Sequence, residues 1–417
     1  MTNKKNQKYL KRLQYVQKKK FIIGIDIGSK FHYVQVQSSD FISIPFRINN
    51  NFDGFTKLSN YIQNNLTTNP DEVIIGLEPT GPYREVLANY LDKHNYEWVF
   101  VNPLHTKRYE SIMHNSPLKS DKNDPSLIIA LVKNGHYLTH PYRKGKYREL
   151  FNLVRIRSQL VVNRVQLYNQ LHSVLSSYFP ELLQVFSSIR LKSLQRVLIK
   201  YPTPDSIEKA GYEKIFKEIF KNTNKEWSNK KTKQLLQVSK KSVGISDGIE
   251  SYKWQVRNLI ININSLSQQI QEIEIHISEE LNTMREADLL RSIKGLSDYS
   301  IGVILGYLGD ITRYSSVYDI IKYAGLNLYE KSSGKRQGQK HISKRGSGIL
   351  RQALYMAALN LIHTYPHIKE MYKRYVKNKR SKVKSIIPIM CYILKVVYAM
   401  IKNDRGYEID YREKKVA

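Results

Sequence analysis

The order of β-rich and helical segments near the N-terminus constrains the fold more than any other feature of this sequence. Three short β-rich runs, FIIGIDI, HYVQVQ and FISIPF, follow one another from Phe21 and are separated by glycine, serine and aspartate residues. Helical segments then alternate with strands: a helix near 54–65, the strand EVIIGLE, a helix near Pro82, the strand EWVFV and, after a loop, a helix opening near Pro125. This order, βββαβαβα, predicts an α/β layer structure around a mixed sheet.

Helical patterns dominate the rest of the chain. One long helix is expected from Tyr147 to Tyr178 and another from Lys253 to Met284, and the two could pack as an antiparallel pair. The lysine-rich stretch 201–250 between them indicates an irregular insertion or a small helical subdomain. We therefore divide the chain into a basic N-terminal arm (1–20), an α/β domain (21–145), a helical, coiled-coil-like connector (146–286) and a C-terminal domain of short helices (287–417).

The charge of the chain indicates a polyanionic partner. Lysine and arginine number 67 against 36 acidic residues, a net charge of +31 that is spread over the whole length. The alternative is a soluble basic protein from an AT-rich genome, whose codons favour lysine. The single cysteine, Cys391, excludes a disulfide within one chain and fits a reducing cytoplasm. The apolar stretch from Ser385 to Ile401 is shorter than a membrane span and is interpreted as a buried or partner-facing helix, so no membrane partner is expected.

Two carboxylates occupy apolar strands, where a charge is costly unless something binds it. Asp26 lies between isoleucines in GIDIGS, and Glu78 ends the strand in IIGLEPTG. Strand ends are where open α/β sheets place their functional sites. If the two strands are neighbours, the two carboxylates converge, and a cation is the natural partner.

Two further aspartates lie at the start of the helix near Pro125. Asp121 and Asp124, in KSDKNDPS, are three residues apart and would share one face of that helix. Four carboxylates on two strands and a helix start are what a phosphodiester site with two Mg²⁺ ions requires, and Mn²⁺ can replace Mg²⁺. Asp124 has a second interpretation, because an aspartate before proline is a favoured helix N-cap.

The segments that carry these acids, GIDIGSKFH, GLEPTGPY and KSDKND, resemble a family of insertion-sequence transposases. The family has a RuvC-like DEDD domain of RNase H fold and a C-terminal serine domain, and it includes the bridge-RNA-guided recombinases. The resemblance implies that Asp26, Glu78, Asp121 and Asp124 are catalytic metal ligands. Pro125 departs from the pattern, since the family usually has a small residue there, but proline suits the first turn of a helix.

A second segment, YAGLNLYEKSSGKRQGQKHISKRGSGILRQAL from Tyr323 to Leu354, resembles the C-terminal serine domain of the same family. The resemblance implies that Ser333 is the nucleophile that forms a covalent phosphoserine link to DNA. The residues alone leave Ser332 and Ser347 as competitors and also fit a flexible phosphate contact without catalysis. The basic side chains that could contact nucleic acid here are Lys335, Arg336, Lys344, Arg345 and Arg351, the last of which could instead pair on the surface.

The resemblance implies a recombinase that cuts and rejoins donor and target DNA and is guided by a noncoding RNA. It would work in the prokaryotic cytoplasm as a homo-oligomer, a dimer or a tetramer, with composite sites. Two rival functions remain open from the residues. One is a junction-selective nuclease that uses only the acidic site and water, for which Ser333 is dispensable. The other is a non-catalytic nucleic-acid scaffold, in which the acids are caps and structural residues.

Overall fold

The structure is a computed structural model, and it describes residues 2–78, 83–113, 124–138, 143–330, 340–379 and 381–408. The described part of the chain divides into two compact units, residues 1–140 and 141–417. Unit 1 is α/β, and unit 2 is mainly helical.

A mixed sheet forms the centre of unit 1. Among the described residues it has six strands in the order β3-β2-β1-β4-β5-β6. Strands β1 and β2 and strands β2 and β3 pair antiparallel, β1, β4 and β5 run parallel, and β6 is antiparallel to β5. The strands are β1 (Phe21–Ile27), β2 (Phe31–Gln37), β3 (Phe46–Asn49), β4 (Val73–Leu77), β5 (Trp98–Val101) and β6 (Tyr137–Leu138).

Helices cover both faces of this sheet, because alternate residues of the central strands β1 and β4 are apolar on both sides. The helices of unit 1 are α1 (Thr2–Gln17), α2 (Phe52–Asn65), α3 (Arg84–Lys93), α4 (Pro103–Met113) and α5 (Asp124–Lys133). On one face, Ile23 and Ile75 pack with α2 and α3. On the other, Ile22 and Ile74 pack with α5 and with Val16 of α1. The mixed sheet with helices that the sequence predicts is therefore present.

The sequence pattern predicts the third strand at the wrong position. FISIPF was expected to be that strand, whereas β3 begins only at Phe46, the last residue of the run. Ile42 makes an isolated bridge with Gln37, and Ile44 is 86% exposed, so the apolar alternation does not face a core. Pro45, which has no N–H to donate to a ladder, separates this exposed stretch from β3.

Two helices of unit 1 have no counterpart in the expected order. α4 occupies the stretch before residue 114, where the sequence indicated a loop. The residues of the basic N-terminal arm form α1, which packs on unit 1: Val16 is buried, and Arg12 donates a hydrogen bond of 2.7 Å to the carbonyl of Tyr137. After α1, Lys19 and Lys20 form ion pairs with Glu97 and Glu72.

Unit 2 is built around the predicted long helix pair. The first half of its helices are α6 (Lys146–Tyr178), α7 (Leu182–Val185), α8 (Lys192–Lys200), α9 (Pro204–Phe220), α10 (Lys225–Ser239) and α11 (Ile249–Leu281). The stretch 201–250 is thus a helical subdomain, one of the two predicted alternatives. The remaining helices are α12 (Arg285–Arg291), α13 (Asp298–Leu308), α14 (Val317–Tyr323), α15 (Gly348–Thr364), α16 (Pro366–Lys379) and α17 (Lys382–Asn403).

The long helices α6 and α11 run antiparallel and connect two separate hydrophobic cores. The first residues of α6 pack with the last residues of α11 in the C-terminal core, and the end of α6 packs with the start of α11 in the core of the helical subdomain. Between the cores the contacts become polar, with Arg157 donating to Glu274 at 2.7 Å and Arg164 to Ser267 at 3.2 Å.

The C-terminal core contains α17, which is long and apolar enough to cross a membrane by length and composition. Its apolar residues, including Ile389, Ile393 and Leu394, are buried in this core, which favours the interpretation as a buried helix. A short antiparallel pair of strands, β7 (Leu328–Glu330) and β8 (Lys340–Ile342), precedes α15.

Candidate active site

Asp26 and Glu78 lie side by side at the carboxyl ends of neighbouring parallel strands. In the register of β1 and β4, Gly24 pairs with Gly76 and Ile25 with Leu77, so the next positions are Asp26 and Glu78. Residues two apart along a strand face the same side, which puts both acids on the side of Gly24 and Gly76. Both side chains are half-buried. The convergence predicted from the sequence is therefore supported by the strand register.

Helix α5 lies against this same face of the sheet, and two glycines allow it to approach closely. An ideal Cβ on Gly24 would be 2.2 Å from the carbonyl oxygen of Pro125, and one on Gly76 would be 2.7 Å from side-chain atoms of Ile128 and Val132. Any larger residue at position 24 would push the first turn of α5 away from β1. The start of α5, at Asp124, is thereby held close to the strand that carries Asp26.

The turn after β1 completes the surroundings of Asp26. Asp26 lines a cavity of about 200 Å³ together with residues of the β1–β2 hairpin. Tyr33 is the cross-strand partner of Asp26 in the antiparallel register, and Lys30 brings a positive charge to the same cavity. The hairpin is tight at Gly28, where a Cβ would lie 2.4 Å from the carbonyl oxygen of Phe31. The sequence pattern singled out neither Lys30 nor Tyr33.

The chemistry of the described donors fits a hard divalent cation. Asp26 and Glu78 supply carboxylate oxygens, the ligands that Mg²⁺ prefers. Within the described residues, no group of three or more histidine, cysteine, aspartate or glutamate side chains is close enough to hold a metal ion. Asp121 lies outside the described residues. Asp124 is the first residue of α5, and its side chain is likewise outside the description.

The predicted serine site falls, in the sequence, between strands β7 and β8. Ser333, Lys335 and Arg336 fall in 331–339, which lies outside the described residues, as does the competitor Ser332. The strands on either side are paired up to Glu330 and Lys340. The other competitor, Ser347, caps α15 by accepting a hydrogen bond of 3.2 Å from the N–H of Leu350.

The base of this hairpin is held together by contacts between backbones. Gly325 has a φ of +71°, and its carbonyl accepts a hydrogen bond of 3.0 Å from the N–H of Lys344. A Cβ on Gly346 would lie 2.2 Å from the carbonyl oxygen of Tyr323. These approaches explain why glycine occupies both positions in YAG and KRGSG. The side chains of Lys344 and Arg345 remain exposed.

Arg351 braces the same region from inside. Its guanidinium donates hydrogen bonds to the carbonyl of Ala324, at 3.2 Å, and to the carbonyl of Gly346, at 2.9 Å. Burial lowers the pKa of Arg351 from its ordinary value. The side chain thus ties the residues before β7 to those before α15, and a contact with phosphate stays a prediction.

Comparison with known proteins identifies the family. The DEDD_Tnp_IS110 family model, described as a transposase, matches residues 23–180, and the model of the transposase IS116/IS110/IS902 family matches residues 287–373. The chain belongs to the IS110/IS116/IS902 family of transposases. Its predicted fold class is confirmed: an RNase H-like N-terminal domain is followed by a mainly helical region. As a family member it is an enzyme of DNA strand cleavage and transfer.

Individual relatives agree with the family. A pilin gene-inverting protein of Moraxella bovis is 25% identical over 393 residues, which cover 93% of this chain and 98% of the relative. An IS110 protein of 43.6 kDa from Streptomyces coelicolor is 20% identical over 70% of this chain and 72% of its own length. A mini-circle putative transposase for IS117 from the same organism is 19% identical over 84% of this chain and 86% of its own length.

Proposed function

We propose that this transposase cuts and rejoins DNA with a divalent-metal site formed by Asp26, Glu78, Asp121 and Asp124 and with Ser333 as nucleophile. The observation that carries the proposal is the placement of Asp26 and Glu78 on adjacent strands, with the start of α5 on the same face. This arrangement brings backbone positions of three of the four acids to one side of the sheet. A structural role for each acid would not require that convergence.

The acids and the serine would act on the same phosphodiester. Bound Mg²⁺, with Mn²⁺ as a substitute, would supply a Lewis acid that polarises the phosphate. The four carboxylates would hold and orient this charge next to the DNA backbone. The Oγ of Ser333 would form a bond to phosphorus while the bond from phosphorus to one sugar oxygen breaks, and that oxygen would leave with a proton as a hydroxyl. The new phosphoserine bond keeps the strand attached for rejoining.

Composition and relatives support the wider features of the proposal. The net charge of +31 fits DNA, and it also fits the noncoding guide RNA that the family resemblance implies. The Moraxella relative is named for inverting a pilin gene, so we propose inversion as well as transposition for this chain. Recombining two duplexes requires several active sites, and we propose a homo-oligomer with sites composed of both domains.

Trapping a covalent intermediate tests the proposal. The protein is incubated with RNA from the flanks of its gene, donor and target DNA, and Mg²⁺, and a denaturing gel is examined for protein-linked DNA. We expect the adduct to be lost in Ser333→Ala and in Asp26→Asn. Ser347→Gly is the matched control, because glycine can replace a serine helix cap at small cost and the adduct should persist.

Each alternative has its own signature in this experiment. Cleavage without an adduct that survives Ser333→Ala would replace the proposal by the junction-nuclease function. Binding of DNA without any cleavage in the wild type, under conditions where a related family member cleaves its own substrate, would favour the scaffold function.

A further inference from the structure

The helical hairpin of α9 and α10 lies between the two matched family regions and has no role in the proposed reaction. It is a well-formed element. Thr203 and Ser206 form a capping box at its start, and Asn224 caps α10. Ile215, Ile219 and Leu235 are buried in the core of the helical subdomain. Its outer surface is therefore a fixed platform, not a loose insertion.

Three aromatic rings form a stack along the outside of α9, and we call it the aromatic ladder: Tyr212, Phe216 and Phe220. Neighbouring ring centroids are 5.8 Å and 5.2 Å apart, with interplanar angles of 9° and 12°. The three side chains are not part of the subdomain core, and Phe220 is 42% exposed. Aromatic pairs at this spacing stabilise a helix by only about a few tenths of a kcal/mol. Helix stabilisation therefore does little to explain why three aromatic residues occur in this row.

The ladder begins after a kink that fixes its position. Gly211 interrupts the helical backbone with a φ of +75° and a ψ of 176°, and Tyr212 starts the next helical segment. The hydroxyl of Tyr212 donates a hydrogen bond of 2.5 Å to the side-chain oxygen of Asn229 on α10. One end of the aromatic ladder is thus anchored to the second helix of the hairpin.

Exposed lysines lie along one side of α10 and at its C-cap, and we call Lys230, Lys233 and Lys240 the lysine face. Spacings of three and seven residues place them on one side of the helix, opposite the buried residues Thr232 and Leu235. Asn229, which contacts the aromatic ladder, is one helical turn from Lys233. The ion pairs described for the hairpin and its neighbouring helix join Lys200 to Glu218 and Lys209 to Asp205, so they do not neutralise the lysine face.

We propose that this hairpin binds unpaired nucleotides, with a base stacked on the exposed end of the aromatic ladder at Phe220 and phosphates held along the lysine face. Flat apolar rings near the turn of the hairpin and exposed lysines farther along α10 match the two surfaces of a single strand that runs along the hairpin, an aromatic base and an anionic backbone. Bases within a duplex are already stacked on one another and have no free face to offer. The hairpin therefore discriminates in favour of single strands, in RNA or in DNA.

Binding measurements on the full-length protein in EDTA test this inference without any cleavage, so their outcome is independent of Ser333. Labelled oligouridine, oligothymidine and a duplex of the same length are titrated by fluorescence anisotropy. The double variant Phe216→Leu, Phe220→Leu keeps apolar side chains but removes the rings. We expect both single strands to bind roughly tenfold more weakly or worse, and duplex binding to stay within about twofold. Tyr318→Leu, at a tyrosine that is 71% exposed in the C-terminal region, is the matched control and should change neither.

Charge removal gives an independent readout if the ring variant is poorly folded. The triple variant Lys230→Gln, Lys233→Gln, Lys240→Gln should lower the slope of log affinity against log salt by about 2 for single strands. Unchanged single-strand affinity in a folded ring variant, or an equal loss for duplex and single strands, would overturn the inference. A loss confined to oligouridine assigns the site to RNA, and a loss confined to oligothymidine assigns it to displaced DNA strands.

Discussion

Replacing Gly24 with alanine should remove most of the DNA cleavage activity while leaving a folded protein. A Cβ at this position would lie 2.2 Å from the carbonyl oxygen of Pro125 and 2.8 Å from a side-chain carbon of Ile129, whereas real Cβ atoms essentially never come closer than 3.0 Å to such atoms. Because the nearer obstacle is backbone, the first turn of α5 must retreat by roughly 1 Å. Asp124 opens that turn and would move with it.

The expected loss of stability is much smaller in effect than the expected loss of cleavage rate. Overpacking of this kind costs about 1–3 kcal/mol of stability, which most domains survive. A displacement of about 1 Å in a group that positions the reacting atoms lowers a rate on the order of 100-fold. The cleavage rate of Gly24→Ala should therefore fall far more than its folded fraction does.

Gly76→Ala is the matched control, because it meets α5 at a different place. Its Cβ would lie 2.7 Å from Cγ2 atoms of Ile128 and Val132, later in the helix and on side chains instead of backbone. We expect a similar loss of stability, with cleavage retained within about tenfold because the first turn stays in place. Thermal melting and the rate of DNA cleavage with Mg²⁺ are measured for both variants. Equal losses of rate in the two, or full activity in folded Gly24→Ala, would refute the argument.

Three further predictions concern stability. Burial lowers the pKa of His32, with a smaller opposing effect from Asn50, so the unfolded chain binds more protons than the folded protein below a pH of about 6.5. Stability should fall as the pH drops through this range, and His32→Leu should flatten that dependence in urea unfolding at a series of pH values. Gly211→Ala should cost about 1–3 kcal/mol in the same assay, because a φ of +75° with a ψ of 176° strains any other residue; no change would show that the kink relaxes. Arg351→Lys should be destabilised by about 1–3 kcal/mol, since the lysine side chain is shorter and its ammonium does not reach the position of Nη1, which donates to the carbonyls of both Ala324 and Gly346; wild-type stability would contradict the bracing role.

The sequence predicts the central features of unit 1 because they depend on local periodicity. β1 and β4 are apolar on both faces, as buried parallel strands are, and a chain that alternates helices and strands makes them parallel neighbours. Once they are neighbours, the positions of Asp26 and Glu78 at the same edge follow. The two long helices α6 and α11 were predictable for the same reason, since their apolar residues repeat every three to four positions.

The remaining features depend on contacts that no local pattern contains. The apolar alternation of FISIPF resembles a strand, but Ile44 is exposed and has no core to pack on. Regular strand pairing resumes only after Pro45. From the sequence alone, Gly24 and Gly76 look like glycines that merely weaken a strand. The structure shows that a side chain at either position would clash with α5. Similarly, the spacing of Tyr212, Phe216 and Phe220 is visible in the sequence, but their exclusion from the core is not.

The antiparallel pair of α6 and α11 also sets the distance between the core of the helical subdomain and the C-terminal core. Each helix has 33 residues, which at 1.5 Å per residue corresponds to about 50 Å. At about 3.4 Å per base pair, that length equals roughly 15 base pairs of B-form DNA. If a nucleic acid contacted both the helical subdomain and the C-terminal core, the rigid helix pair would fix the distance between its two contact regions.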